Sequence, residues 1–107
     1  MSYKVELTNN FKKEAKRLVK KYISLKSEIT DLITQLEVNP ILGTPIGNDI
    51  YKIRVSIASK GKGKSGGARV MSFVKITETT VILFSIYNKG EKDTITDKEI
   101  KELIKDL

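Results

Sequence analysis

Seven basic side chains, Lys52, Arg54, Lys60, Lys62, Lys64, Arg69 and Lys75, fall between Ile50 and Thr77, and no Asp or Glu stands among them. Lysine and arginine at this density suit one kind of chemistry: they neutralise phosphate oxygens and stabilise negative charge developing at phosphorus. The rest of the chain holds 13 basic and 13 acidic residues, so the whole formal charge of +7 belongs to this stretch. A field confined to one hairpin fits a polyanion, because each phosphate neutralised releases condensed counterions. The plainer alternative is a soluble loop whose lysines only face water. Against it, Lys52 and Arg54 lead into the glycine-rich segment, Arg69 leads out of it, and nothing acidic offsets their repulsion. That uncompensated charge favours a phosphate-binding surface.

Composition removes other chemistries. The chain has no cysteine and no histidine. A disulfide scaffold, a thiolate nucleophile, a Cys-ligated zinc site and the Ser-His-Asp or Cys-His hydrolases are therefore excluded. Acid–base work would fall to Lys, Tyr, a carboxylate or an outside group. The run ASKGKGKS from Ala58 to Ser65 meets the permissive spacing of a nucleotide P-loop. That site needs a helix directly after its Lys-Ser pair, whose N-terminus faces the phosphates. Gly66, Gly67 and a strand-like run follow instead, so the P-loop reading fails.

Two further features stay open on residues alone. Lys12, Lys13, Lys16, Arg17, Lys20, Lys21 and Lys26 are opposed only by Glu14 before Glu28, which suits a solvated face as well as an RNA contact. Tyr51 and Tyr87 read as core or core-edge residues, with stacking on bases a secondary role. Spacing alone does not assign Lys89.

The elements that must carry these residues follow from periodicity. At 107 residues the chain fits a single domain, 1–107, with a modest core. Tyr3, Val5 and Leu7 alternate with charged residues as a short half-buried strand. Thr8-Asn9-Asn10 offers capping side chains to a helix whose apolar face is Phe11, Ala15, Leu18, Val19 and Tyr22. Ser24 is expected to cap a second helix built on Leu25, Ile29, Leu32, Ile33 and Leu36, which Asn39-Pro40 ends. Ile41 to Asp49 reads as a loop.

Tyr51 to Ile57 places Lys52 and Arg54 on one strand face, Arg69 to Ile76 gives a second strand, and Val81 to Tyr87 a central strand buried on both sides. Thr96 to Glu99 is a capping box opening a short helix with Ile100, Leu103, Ile104 and Leu107. The expectation is an α+β fold of order βααβββα, with an N-terminal helical hairpin packed on a small, mainly antiparallel sheet. No apolar run reaches the roughly 18 residues of a membrane span, and Met1 to Lys4 lacks a signal-peptide core, so a cytoplasmic protein without membrane attachment is expected.

Three segments together resemble a known family: Tyr51-Lys-Ile-Arg54; Gly61-Lys-Gly-Lys64-Ser-Gly-Gly67-Ala-Arg69-Val70; and Ile86-Tyr87-Asn-Lys89-Gly-Glu-Lys-Asp93. They are similar to the RelE/ParE superfamily of type II toxin–antitoxin toxins, most of all its HigB-type branch, and the element order agrees over nearly the whole chain. The resemblance implies a ribosome-dependent mRNA endonuclease that cuts A-site codons, with no metal or other cofactor, held in check by a cognate antitoxin. It implies attack of the ribose 2′-hydroxyl on the adjacent phosphate, promoted by basic side chains. By position, Lys52, Arg54, Arg69 and Lys89 correspond to the catalytic cations, and Lys60, Lys62 and Lys64 to RNA-binding residues.

Thr96 stands near where some members carry a tyrosine, a departure that bears on the strength of cleavage. Two alternatives accompany this reading: a ParE-like inhibitor of DNA gyrase, and a basic RNA-binding domain without catalysis. The antitoxin is expected on the basic face or the N-terminal helices.

Overall fold

The computed structural model describes residues 2–60, 67–92 and 94–107. In chain order the elements are β1 (Lys4–Leu7), α1 (Asn9–Lys21), α2 (Leu25–Val38), β2 (Thr44–Pro45), β3 (Ile50–Val55), β4 (Ala68–Lys75), β5 (Thr80–Asn88) and α3 (Asp97–Ile104), with single 3-10 turns at Ala58–Lys60 and Ile76–Glu78. One sheet is laid out β1-β5-β4-β3-β2. β1 runs parallel to β5, and the other neighbours are antiparallel. The α+β class and the mainly antiparallel sheet are as the periodicity predicts. The addition is β2, a two-residue edge strand inside the segment that reads as a loop.

Both faces of the sheet are covered, which explains why all of β5 is buried. On one face Val55, Val70, Leu83 and Ile86 meet Phe11 and Leu18 of α1 and Leu25, Leu32 and Leu36 of α2. On the other, Ile50, Met71, Phe84 and Tyr87 meet Ile95 and Ile100 beside and within α3. Each such apolar side chain contributes about 1.5–3 kcal/mol by leaving water. Strand alternation then decides the rest. Ile53 and Val55 face the helical hairpin, so Lys52 and Arg54 face the other way, and Arg69 shares its side of β4 with Met71.

The capping residues divide. Thr8 caps α1, its Oγ1 accepting from the Phe11 amide at 3.1 Å. Thr96 closes a full capping box with Glu99. Ser24 departs from the expectation: it has helical backbone angles and no side-chain cap bond. Its hydroxyl instead donates to Glu28, lies 2.8 Å from the Ser59 hydroxyl, and accepts from the Ser59 amide at 2.9 Å. With the Ala58 amide donating to Glu28 at 2.8 Å, these contacts pin the start of the β3–β4 connection to α2.

β5 carries a bulge. Met71 pairs with Ser85 while its neighbour Ser72 pairs with Leu83, so Phe84 is the extra residue. β1 ends at Leu7 opposite Leu83, leaving the outer edge of β5 beyond that point without a strand. α1 supplies the missing partners. Asn10 Nδ2 donates to the Phe84 carbonyl at 2.9 Å, and Glu14 Oε1 accepts from the Ile86 amide at 3.2 Å, the Ser85 hydroxyl at 2.9 Å and Asn10. Further along, Asn88 Nδ2 donates to the Tyr22 hydroxyl at 2.8 Å. Asn10 and Glu14, one turn apart on α1, and Tyr22 just past its end do the work of a strand edge.

Candidate phosphate-binding cleft

The site is built on the sheet face that carries α3. Lys52 and Arg54 come from β3, Arg69 from β4, and Lys89 from the turn just past β5. The register sets Arg54 directly opposite Arg69, and Arg69 opposite Tyr87. Arg54 is exposed, Lys52 and Lys89 are partly buried, and Arg69 is buried at 8% exposure. The four cations line one cleft of about 480 Å³, together with Gly43 and Thr44. No carboxylate is among these described lining residues. Like charges facing each other across a strand pair destabilise the sheet. A bound phosphate would relieve that repulsion.

Arg69 and Lys89 are held by the chain around them. The Arg69 guanidinium donates to the Ala68 carbonyl at 3.3 Å. The Lys89 amide donates to the Gly67 carbonyl at 2.9 Å, tying the end of β5 to the start of β4. Asn88 Oδ1 accepts from the Gly90 amide at 3.0 Å, while its amide nitrogen reaches Tyr22. Glu91 fastens the same turn to α1, through Arg17 at 3.0 Å and Lys21 at 2.9 Å. Those two cations hold the Glu91 carboxyl below its ordinary pKa, and Glu91 in return raises that of Lys21. Arg17 and Lys21 thus have a structural use, whereas Lys12, Lys13, Lys16 and Lys20 are exposed.

All four residues matched by resemblance to catalytic positions therefore come together. Of the RNA-binding expectations, Lys62 and Lys64 lie outside the described residues, and Lys60 closes the 3-10 turn with its side chain outside them. Thr96 is not part of the cleft lining and serves as the cap of α3. Tyr87 is a core residue, packed with Met71, Phe84 and Ile100. Sequence reasoning missed Gly43 and Thr44. Gly43 has φ +96°, and a Cβ there would meet the Lys52 carbonyl oxygen at 2.5 Å, a closeness only glycine permits. The signal was the glycine itself, inside a segment without periodicity. Among the described residues no group of three or more His, Cys, Asp or Glu is arranged to hold a metal ion, and no helix is long and apolar enough to cross a membrane.

Comparison with solved structures agrees on the fold. A mutant of the E. coli toxin RelE in the free state matches with a TM-score of 0.66 at 18% identity, over 98% of this chain and 97% of that one. The toxin–antitoxin complex RelBE2 from Mycobacterium tuberculosis matches at 0.61 and 14% identity, covering 82% of this chain and 99% of that one. The intact E. coli RelBE toxin–antitoxin complex matches at 0.59 and 17% identity, covering 78% and 93%. The family model described as the RelE toxin of the RelE/RelB toxin–antitoxin system matches residues 3–106, and the chain belongs to that family.

Proposed function

We propose that this toxin is a ribosome-dependent mRNA endonuclease that cleaves codons in the A site and so stops translation. The observation that carries the proposal is the meeting of Lys52, Arg54, Arg69 and Lys89 in one cleft whose described lining includes no carboxylate. In the reaction, the ribose 2′-hydroxyl loses its proton and its oxygen bonds to the adjacent phosphorus. The bond from phosphorus to the 5′-oxygen breaks, and that oxygen takes a proton. The products are a 2′,3′-cyclic phosphate and a free 5′-hydroxyl, and no step calls for a metal.

The division of labour follows from side-chain chemistry. Guanidinium keeps its charge, so Arg54 and Arg69 act as fixed stabilisers of the pentavalent phosphorane, with forked donors that fit paired phosphate oxygens. Only the lysines can trade a proton. Lys52 belongs to β3 and Lys89 to the turn just past β5, with the strand of Arg69 between β3 and β5, which suits one as base and the other as acid. Lys60, Lys62 and Lys64 are assigned to holding mRNA or ribosomal RNA through their charge. A cognate antitoxin that masks the basic face completes the pair. It is supported by two of the matching structures being toxin–antitoxin complexes. A cytoplasmic site of action follows from the substrate.

The test is primer extension on a defined mRNA in a purified translation system, with and without ribosomes. Wild type should cut within codons only when ribosomes are present. Arg54→Ala, at an exposed position, should fold normally and cut about 10²-fold more slowly, the usual cost of removing one transition-state donor. Intact mRNA with undiminished translation would overturn the reading, and inhibition of DNA gyrase would then be the next measurement.

A further inference from the structure

A second cleft, of about 470 Å³, adjoins the first. It lies between α2 and the edge of β3, and Arg54 and Gly43 line both. It exists because β2 is short: β2 pairs with β3 only at Tyr51 and Lys52, so β3 beyond Lys52 has no strand on that side. The floor is apolar, made by Leu32, Leu42, Ile53 and Val55. Three polar groups of α2 edge it, Glu28, Asp31 and Gln35. Glu28 is already engaged by Ser24 and the Ala58 amide. Asp31 and Gln35 stand one helical turn apart on the same side, both exposed, and among the described residues neither side chain has a hydrogen bond or ion pair.

We propose that this cleft is a nucleobase subsite beside the phosphate cleft, reading guanine through Asp31 and Gln35; it rests on the RNA-cleaving function proposed above. An apolar floor accepts the flat face of a base, and a carboxylate at the rim repels phosphate, so the backbone stays with Arg54 and Arg69 while a base turns towards α2. The choice of base follows from donors and acceptors. Guanine presents two adjacent donors, N1–H and the N2 amino group, which one carboxylate accepts as a pair, and an O6 acceptor that the Gln35 amide satisfies. Uracil presents one donor flanked by two carbonyl oxygens that the carboxylate repels. Adenine and cytosine each present a single amino group there. Guanine is therefore preferred and uracil disfavoured.

Two measurements on the full chain test this. First, binding of fluorescently labelled GpG, ApA, CpC and UpU ribodinucleotides is compared for wild type, Asp31→Asn and Gln35→Ala. Wild type should hold GpG about tenfold tighter than UpU, and Asp31→Asn should erase that difference, in line with the discrimination of one bidentate pair. Second, cleavage maps in the ribosomal system should show cuts biased towards guanine, with Asp31→Asn shifting the distribution of cuts away from guanine. Guanine-selective binding lost in Asp31→Asn, with no cleavage by wild type, would sustain the subsite and overturn the nuclease. Equal binding of all four dinucleotides, or none, would overturn the subsite even if cleavage occurs. An unchanged base preference in Asp31→Asn, with weakened capture of the antitoxin, would make the cleft a protein-binding surface and overturn the base assignment.

Discussion

Glu14 is the residue whose removal is most informative about the fold. Its Oε1 accepts from the Ile86 amide, the Ser85 hydroxyl and Asn10, at the point where β5 bulges and β1 has ended. In Glu14→Ala the Ile86 amide, next to a residue buried on both sides, loses a charged acceptor, which costs about 2 kcal/mol. Ser85, itself 2% exposed, loses a partner for about 1 kcal/mol more. Asn10 keeps the Phe84 carbonyl. The sum, about 3 kcal/mol, should lower the melting temperature by roughly 12 °C or more in a domain of this size. Glu14→Gln keeps a carbonyl oxygen in the same place and should cost less than about 1 kcal/mol. Urea unfolding of the two variants against wild type measures both figures. If Glu14→Ala unfolds at the wild-type midpoint, or Glu14→Gln is as damaging as alanine, then α1 does not complete the edge of β5 and the argument fails.

Other perturbations discriminate in the same way. Gly43→Ala combines a positive φ with a Cβ 2.5 Å from the Lys52 oxygen and 2.9 Å from Ile53 Cγ1, so it should cost about 2 kcal/mol or more and displace one wall of the phosphate cleft. Gly47→Ala has a similar φ, +98°, but nothing within 4 Å, and should cost only about 1 kcal/mol with cleavage intact; equal losses in the two variants would refute the steric part. Glu99 is held down to a pKa of about 2 by Lys92, with the Thr96 backbone adding to the effect. Its folded pKa is depressed from 4.5, so its contribution is present above about pH 4.5 and lost as pH falls towards 2. Glu99→Gln should flatten the fall in stability across that window, and an unchanged acid slope would show that α3 draws nothing from this pairing.

How much of this was legible beforehand depends on how each feature is encoded. β3 alternates, so the shared face of Lys52 and Arg54 could be read from spacing, and the charge segregation marked the site; β4 is buried without a break from Ala68 to Ser72, so the side that Arg69 takes could not be read that way. Lys89 was not legible from spacing, because a turn places it, and the Asn88 and Glu91 of that turn are held by Tyr22, Arg17 and Lys21 from distant positions. β2 has two residues and leaves no periodic trace, so Gly43 and Thr44 were hidden with it. The bulge at Phe84 was hidden for another reason: VILFSIY is apolar throughout, and a strand buried on both faces gives no alternation from which a phase slip could be seen. Glu14 looked like a stray acid on a basic helix, since only the sheet reveals what it faces.

The placement of support and chemistry on separate residues explains how the fold tolerates its own site. Arg54 and Arg69 oppose each other across β3 and β4, a pairing that costs stability as long as no anion lies between them. The other described lining residues, Gly43 and Thr44, bring no charge to bear on that cost. It is offset outside: by the two apolar clusters on either side of the sheet, by Ser24 and Glu28 at the entrance to the β3–β4 connection, and by Asn88, Tyr22 and the Gly67 carbonyl at the turn bearing Lys89. Neutralising Arg54 should therefore relieve repulsion while removing chemistry, whereas weakening a support should lose both. A stability gain that accompanies loss of activity is the mark of a site strained for its ligand, and the cross-strand arginine pair is where this protein should show it.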